Sequence, residues 1–316
     1  MKKIFFVLIF LSLAGLFLYF FMQFLPPHFG RLAKEPFIIA KVFSEKELAA
    51  RLEKEGFIRS QQAFEQAIKS KNLQGKIQPG GYYISKSMLV FEIVETLALH
   101  PVQKWATLPE GLRKEEVAEI LQKELGWDDA QTKLFLDNSK EGYIFPETYL
   151  LDLDWTGKDI AGRLSDQFNE EFAILAEGYD NRLSPEEAIV LASLVQREAR
   201  GAEEMPLVAG IIFNRLDQGM KLDIDATLQY QIGSLEDWWP KVSSADKSAG
   251  SPYNTYLNKG LPPSPICNPG REALKAALFP EKNSYFYYLH DSEGNIHCAK
   301  TYEDHLKNIE KYLKIR

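Results

Sequence analysis

Glu198 is the residue whose place in the sequence best suits acid–base chemistry. It follows Val195 by three positions and Leu191 by seven, so a helix puts all three side chains on one face. Burial on that face and the negative end of the helix dipole both disfavour a carboxylate, which raises the pKa of Glu198. A glutamate that keeps its proton can protonate a leaving oxygen, as glycoside cleavage requires. Spacing alone also allows a surface glutamate paired with Arg197 or Arg200.

Asp223 and Asp225 form a second candidate group, because two carboxylates lie two residues apart. On a strand their side chains would share a face, where they could activate water or stabilise a cation. A cap or turn role for Asp225 is an equal alternative.

A long irregular loop is the third candidate, because residues 251–256 and 260–266 combine aromatic and amide side chains with prolines. Aromatic rings can stack on sugar faces while amides bond hydroxyl and acetamido groups, so the loop suits a sugar-binding cleft. A surface loop with a few packed tyrosines explains the same composition equally well.

Neither a metal nor a cofactor is predicted. His290, His297 and His305 are seven and eight residues apart, without an HExxH or CxxC pattern. The sequence has no GxSxG elbow and no phosphate-binding glycine loop, so serine nucleophiles and nucleotides lack support. Cys267 and Cys298 could pair in an oxidising compartment, or they could be two small buried hydrophobic residues.

The helix that must position Glu198 has clear start and stop signals. Ser184 is a good N-cap, Pro185 fits the first helical position, and Glu187 completes a capping box. Gly201 is placed to end the helix. The apolar stripe comprises residues 188, 191, 192 and 195.

Composition and charge exclude one class of partner. The 316 residues are 45% hydrophobic and 26% charged, which is typical of a globular protein with room for an anchor and about two domains. The formal net charge is −7 and no basic stripe occurs. Nucleic acid is therefore excluded as a partner, because phosphates require a positive face.

The N-terminus predicts a membrane anchor. Lys2 and Lys3 precede an uncharged run, residues 4–24, which as a helix spans about 31 Å. A signal peptide would have a shorter apolar run followed by a small-residue cleavage site. We therefore expect residues 1–25 to be a cytoplasmic stub and an uncleaved single-pass anchor in the cytoplasmic membrane. The lysines favour an inside N-terminus, with the remainder of the chain on the outer side.

Two folded parts are predicted beyond a tether at 26–35. Residues 36–104 are expected to form a small α+β module, and residues 105–316 a mainly helical α+β domain. In the module, residues 78–81 read as a turn before a strand at 82–85. Helices are expected at 44–56, 60–70, 90–99, 114–125 and 302–313, and further strands at 105–108 and 285–289.

Several segments together resemble the endolytic murein transglycosylase family, the YceG-like or MltG-type proteins. Any one of them could occur by chance, but their joint occurrence in family order is highly specific. The resemblance runs from the N-terminal anchor through nearly the whole of the remaining chain. The matching segments are 108–111, 141–149, 192–199, 214–216, 225 with 227, 251–256, 260–266, 268–270 and 274–277.

The resemblance implies that Glu198 is the catalytic glutamate, the second acid of a Val-Glu-x-Glu element. Gln196 stands at the first acid of that element, and residues 223–227 depart from the family's Gln-Ser/Thr-Asp-Pro-Thr run. The module at 36–104 resembles a LysM domain. The expected substrate-binding residues are Asp225, Thr227, Tyr253, Asn254, Thr255, Tyr256, Pro262 and Pro263.

The reaction implied is cleavage of MurNAc–GlcNAc linkages in peptidoglycan glycan strands, giving 1,6-anhydro-MurNAc ends. One glutamate acts as acid and then as base, so a second catalytic carboxylate and a cofactor are not required. The resemblance places this activity on nascent strands during cell-wall synthesis, with peptidoglycan synthases as candidate partners. A non-catalytic glycan-binding scaffold of the same machinery is the alternative, and a metal-dependent hydrolase would need converging ligands.

Overall fold

The computed structural model describes residues 2–180 and 182–313, with side chains from Ile4 onward. Within these residues the protein is a mixed α+β structure, as predicted, with twelve α-helices and two small sheets. Contacts divide the chain into two compact units, Met1–Ala106 with Tyr149–Trp155, and Thr107–Thr148 with Thr156–Arg316. The domain boundaries at residues 25, 35 and 104 stay a prediction.

The first unit begins with helix α1, Lys2–Met22. Residues Ile4–Met22 are long and apolar enough to cross a membrane by length and composition, and none of this stretch is buried in the protein. The sequence predicts an apolar helix as far as residue 24, but the helix ends at Met22. The side chains of Lys2 and Lys3, on which the predicted orientation depends, lie outside the described residues.

The remainder of the first unit packs helices on an antiparallel sheet, and its three predicted helices are confirmed. Strands β1 and β2 pair with Glu35 opposite Ile84 and Ile39 opposite Gly80, and the sheet order is β1-β2-β3-β4. The apolar faces of the helices and of β1 and β2 form one core. The elements are β1 Glu35–Ile39, α2 Glu45–Lys54, α3 Gln61–Ser70, β2 Gly80–Ile84, α4 Val90–Leu99, β3 Gln103–Thr107 and β4 Thr148–Asp152.

The sequence predicts a turn at residues 78–81, but Gly80 and Gly81 are instead the first two residues of strand β2. A Cβ on Gly80 would lie 2.4 Å from the carbonyl oxygen of Gln103, and one on Gly81 would lie 2.2 Å from the Gln103 side chain. The glycines are therefore needed because β3 approaches the backbone closely at this point.

The second unit is mainly helical, as the sequence predicts. Its helices surround α8, whose residues 188–195 are all buried. The predicted apolar stripe, residues 188, 191, 192 and 195, is therefore only part of the buried surface of α8. This helix is covered on every side by α9, α11 and the loops around them. The elements are α5 Lys114–Leu125, α6 Asp129–Asn138, α7 Gly157–Leu175, α8 Pro185–Glu198, α9 Met205–Asp217, α10 Asp225–Ile232, a 3₁₀ helix Asp246–Ser248, α11 Arg271–Leu278, β5 Tyr287–His290, β6 Ile296–Ala299 and α12 Tyr302–Tyr312.

Candidate active site

Glu198 is the last residue of α8. The predicted capping box starts this helix: the Glu187 amide donates to the Ser184 hydroxyl at 3.2 Å and the Ser184 amide to the Glu187 carboxylate at 2.8 Å. The prediction that Gly201 ends the helix is wrong, because Ala199 already has an extended backbone with ψ of 143°. The helix thus runs through the buried core and ends at Glu198, where the backbone becomes extended.

Tyr288 on β5 holds the Glu198 carboxyl group. Its hydroxyl donates to Oε2 of Glu198 at 2.6 Å. Burial raises the pKa of Glu198, and the negative charge of Asp225 raises it further. The Tyr288 hydrogen bond and electrostatic interactions with His290 and Arg197 lower this pKa, but burial is the largest influence. The geometry therefore favours a protonated Glu198 with one oxygen fixed in place.

A pocket of about 300 Å³ opens beside Glu198. Arg215 and Asp223 give it one positive and one negative group, and the side chains of Tyr287, Tyr288 and Tyr302 give it aromatic walls. The lining residues are Glu198, Ile211, Ile212, Arg215, Leu222, Asp223, Ile224, Tyr256, Tyr287, Tyr288, Tyr302 and His305. A pocket of this size, next to a carboxyl group with a raised pKa, is suited to a sugar ring with its substituents.

Arg215 joins two walls of this pocket. Its Nε donates to the carbonyl of Phe286 at 2.6 Å, two residues before Tyr288, and its Nη1 donates to the carbonyl of Leu222 at 2.6 Å. The next residue, Asp223, has a left-handed backbone with φ of 54° and places its carboxylate 3.4 Å from Arg215. The guanidinium thus fixes the strand that carries Tyr288 against the turn that carries Asp223.

Asp225 and Tyr256, both predicted to bind substrate, form a polar triad with Lys247. The Tyr256 hydroxyl donates to Oδ1 of Asp225 at 2.6 Å, and Nζ of Lys247 lies 3.2 Å from the same oxygen. Lys247 also donates to the Tyr256 hydroxyl at 2.9 Å. Burial and the bond to Asp225 raise the pKa of Tyr256 to about 12. Asp223 lies in a turn and Asp225 in the first turn of α10, so the two do not share a strand face.

Thr227, Asn254 and Thr255, also predicted to bind substrate, are buried and bonded within the protein. The Thr227 and Thr255 hydroxyls lie 3.1 Å apart, and the hydroxyl of Thr255 accepts from the amide of Ile224 at 3.0 Å. The amide group of Asn254 donates to the carbonyl of Ala249 at 2.8 Å and accepts from the amide of Tyr256 at 2.9 Å. These contacts order the turn and the loop that present Asp225 and Tyr256.

Tyr253, Pro262 and Pro263 complete the predicted binding residues. The Tyr253 hydroxyl lies 2.5 Å from that of Ser264, and its ring centroid lies 5.2 Å from that of Tyr230. Pro262 is buried, whereas Pro263 is exposed. Their part in substrate binding stays a prediction.

A buried polar group beneath the loops fixes the segment that follows residue 266. The Asn268 side-chain oxygen accepts from the amides of Gly142 and Ile144, each at 3.0 Å. Its amide group donates to Glu141 at 3.0 Å. Burial raises the pKa of Glu141 to about 8. This group joins two segments of the family resemblance and does not line the pocket.

The remaining candidates have partners of their own. His290 contacts Glu204 at 2.9 Å and His297 contacts Asp291 at 2.8 Å. His305 stacks on Tyr287 with centroids 5.3 Å apart. Within residues 2–180 and 182–313, no three His, Cys, Asp or Glu side chains converge as metal ligands would. Cys267 and Cys298 are both free thiols.

The sequence does not reveal the roles of Tyr288, Arg215 and Lys247. Tyr288 lies in the predicted strand at 285–289, but its distance from Glu198 along the chain gives no sequence signal for their bond. Arg215 is part of a family segment, which marked its position without indicating what it contacts.

Comparison with known proteins gives one family for most of the chain. The family model described as the YceG-like family matches residues 37–311. A relative from Bacillus subtilis (strain 168), named endolytic murein transglycosylase, is 30% identical over 296 residues, covering 84% of this chain and 81% of that protein.

Two further similarities extend the comparison. A protein of the same name from Streptococcus pneumoniae (strain R6) is 25% identical over 314 residues, and the match covers 85% of this chain but 56% of that longer protein. A crystal structure of a YceG-like protein from Listeria monocytogenes superposes with a TM-score of 0.60 at 25% identity. That match covers 87% of this chain and 98% of the Listeria chain.

Proposed function

The chain belongs to the YceG-like family, and from that premise we propose that it cuts peptidoglycan glycan strands internally with Glu198 as acid and then base. The chain is accordingly an enzyme of the lytic transglycosylase class, the class that its Bacillus and Streptococcus relatives carry in their names. The observation that supports the Glu198 assignment best is a carboxyl group at the pocket whose pKa is raised by burial and whose position is fixed by Tyr288.

The reaction uses one residue in two successive roles. Glu198 donates its proton to the oxygen that links MurNAc C1 to GlcNAc as the C1–O bond breaks, and GlcNAc leaves as a free hydroxyl. The Glu198 carboxylate then removes the proton from the MurNAc C6 hydroxyl, whose oxygen closes on C1. The product is a 1,6-anhydro-MurNAc end, Glu198 is again protonated, and no water is consumed.

Groups around Glu198 support both halves of this reaction. The Tyr288 hydroxyl stabilises the carboxylate that forms after proton donation. The negative charges of Asp223 and Asp225 favour the positive charge that develops at C1, and Tyr256 with Lys247 holds the Asp225 carboxylate in place. Thr227, Asn254, Thr255 and the buried Pro262 act by ordering these groups, while Tyr253 and Pro263 line the approach of the strand.

The N-terminal helix supports the proposed location. Residues 4–24 anchor the protein in the cytoplasmic membrane with the N-terminus inside, so the active site faces the outer side. There it meets nascent strands, with peptidoglycan synthases as partners. The module at 36–104 acts as a LysM-like domain that holds glycan.

The test is mass spectrometry of purified peptidoglycan after incubation with the full-length protein in detergent. Anhydro-MurNAc ends support the proposal. Reducing ends would mean a hydrolase, with Asp223 or Asp225 as the base that activates water. Intact strands in the presence of folded protein would favour the alternative, a non-catalytic glycan-binding scaffold.

A further inference from the structure

Close to the pocket lies a group of aromatic rings that the reaction above does not use. Tyr230 lies on α10, and Trp238 and Trp239 follow in the segment before the 3₁₀ helix. All three side chains are partly exposed. We call Tyr230, Trp238 and Trp239 the aromatic platform. Large rings left open to solvent are frequent at binding surfaces, because they offer apolar area at low cost in conformational entropy.

The two indoles are held in fixed orientations by α5. The indole N–H of Trp238 donates to Glu119 at 3.3 Å, and that of Trp239 donates to Glu116 at 3.1 Å. Since the two glutamates are three residues apart, they lie on one face of the helix. Both indoles are thus hydrogen-bonded through their N–H groups to one face of α5.

Two guanidinium groups cover ring faces of the platform. Arg197 lies 3.7 Å from the ring centroid of Trp239. Arg113 lies 4.3 Å from the centroid of Tyr230 and 4.8 Å from that of Trp238. The Nε of each arginine is buried without a hydrogen-bond partner among the described residues. A buried Nε cannot reach a ligand, so the two guanidinium groups serve to hold the rings in place by stacking.

The platform lies near the pocket, as two contacts indicate. Arg197, which stacks on the platform, directly precedes Glu198 in the sequence. The ring centroid of Tyr230 lies 5.2 Å from that of Tyr253, in the same loop as Tyr256, which lines the pocket. A glycan strand several sugars long that binds at Glu198 can therefore reach the platform.

We propose that the aromatic platform binds a sugar ring of the glycan strand beyond the linkage at Glu198, which rests on the proposed function. Hexosamine rings present an apolar C–H face that can pack on an indole ring. Glu115, Glu116 and Glu119 outnumber the two arginines beside the platform, which leaves a net negative charge there. That charge disfavours an acidic stem peptide and favours an uncharged sugar as the occupant.

The test measures binding of peptide-free glycan oligosaccharides of increasing length to the full-length Glu198→Gln protein in detergent. Trp238→Ala and Trp239→Ala should each weaken binding of long oligosaccharides about tenfold, in the range that ring stacking contributes. Binding of the shortest oligosaccharides, which reach only the pocket, should not change. Trp127→Ala is the matched control, because that partly exposed indole packs on Phe135 instead.

Equal affinity at every length in both platform variants would overturn the proposal, and so would an equal loss in the Trp127→Ala control. Trp238→Phe and Trp239→Phe assign the indole N–H signals in nuclear magnetic resonance spectra, which serves if an alanine variant fails to fold. Both signals should shift on saturation with a long oligosaccharide, and unshifted signals would overturn the proposal. Because binding needs no cleavage, a wild-type protein that forms no anhydro ends would refute the proposed function without deciding this test.

Discussion

At Glu198, two opposing influences determine how firmly the carboxyl group keeps its proton. Burial raises its pKa, which supports proton donation, whereas the Tyr288 hydroxyl stabilises the carboxylate, which supports the later removal of a proton. A residue that acts first as acid and then as base needs both forms to be accessible. Tyr288 therefore tunes the acid as well as orienting it.

Tyr288→Phe should lower the rate of anhydro-end formation about 10- to 100-fold. This factor corresponds to the free energy that a hydrogen bond to a charged group contributes. It should also move the alkaline limb of the pH–rate profile to higher pH. The sign follows because the lost bond favoured the ionised form, so its removal raises the pKa of Glu198 further. Tyr285→Phe, in the same segment, is the control. An unshifted alkaline limb would contradict the tuning role.

At the scale of elements, the site depends on a turn and a loop joined by buried hydroxyls. Thr227 donates to the carbonyl of Ile224 at 2.8 Å and lies 3.1 Å from the Thr255 hydroxyl. These bonds fix the start of α10, and with it Asp225, against the loop that carries Tyr256.

Thr227→Val should lower the free energy of unfolding by about 1–3 kcal/mol, because it leaves buried polar groups without a partner. The KM for glycan should change little, since the Thr227 side chain is fully buried. Thermal unfolding and steady-state kinetics measure the two effects, with Thr227→Ser as the control that keeps the hydroxyl. A raised KM at unchanged stability would mean that Thr227 contacts the strand directly.

The sequence predicted some elements well and others poorly, for physical reasons. Helix α8 starts where Ser184, Pro185 and Glu187 indicate, because capping is a local interaction. Its end and its burial on every side depend on packing by distant segments, which periodicity cannot show. The same limit hides the bond between Tyr288 and Glu198. It also hides the role of Gly80, which is set by the close approach of Gln103.

At the scale of the whole molecule, the chain divides into two compact units, the first of which begins with an apolar helix. The helix was predictable because length and hydropathy suffice to identify it. The return of Tyr149–Trp155 to the first unit was not predictable, because it depends on strand pairing between distant segments.

Removal of residues 2–24 should shift the protein from the membrane fraction to the soluble fraction of disrupted cells, because the apolar run would be gone. Protease added to intact spheroplasts should digest the full-length protein, since the proposed orientation leaves all but the anchor outside. Quantitative immunoblotting measures both, with a cytoplasmic protein as the control. A truncated chain that remained in the membrane, or a full-length chain protected from protease, would refute the proposed topology.

The most direct test of the central claim compares wild-type protein and Glu198→Gln, both full-length in detergent, on the same purified peptidoglycan. Mass spectrometry counts 1,6-anhydro-MurNAc ends, and a sedimentation assay measures glycan binding by each protein. We predict that Glu198→Gln binds glycan as the wild type does but forms these ends about 10²–10⁴ times more slowly. Anhydro ends formed by Glu198→Gln at the wild-type rate would show that another residue is the acid.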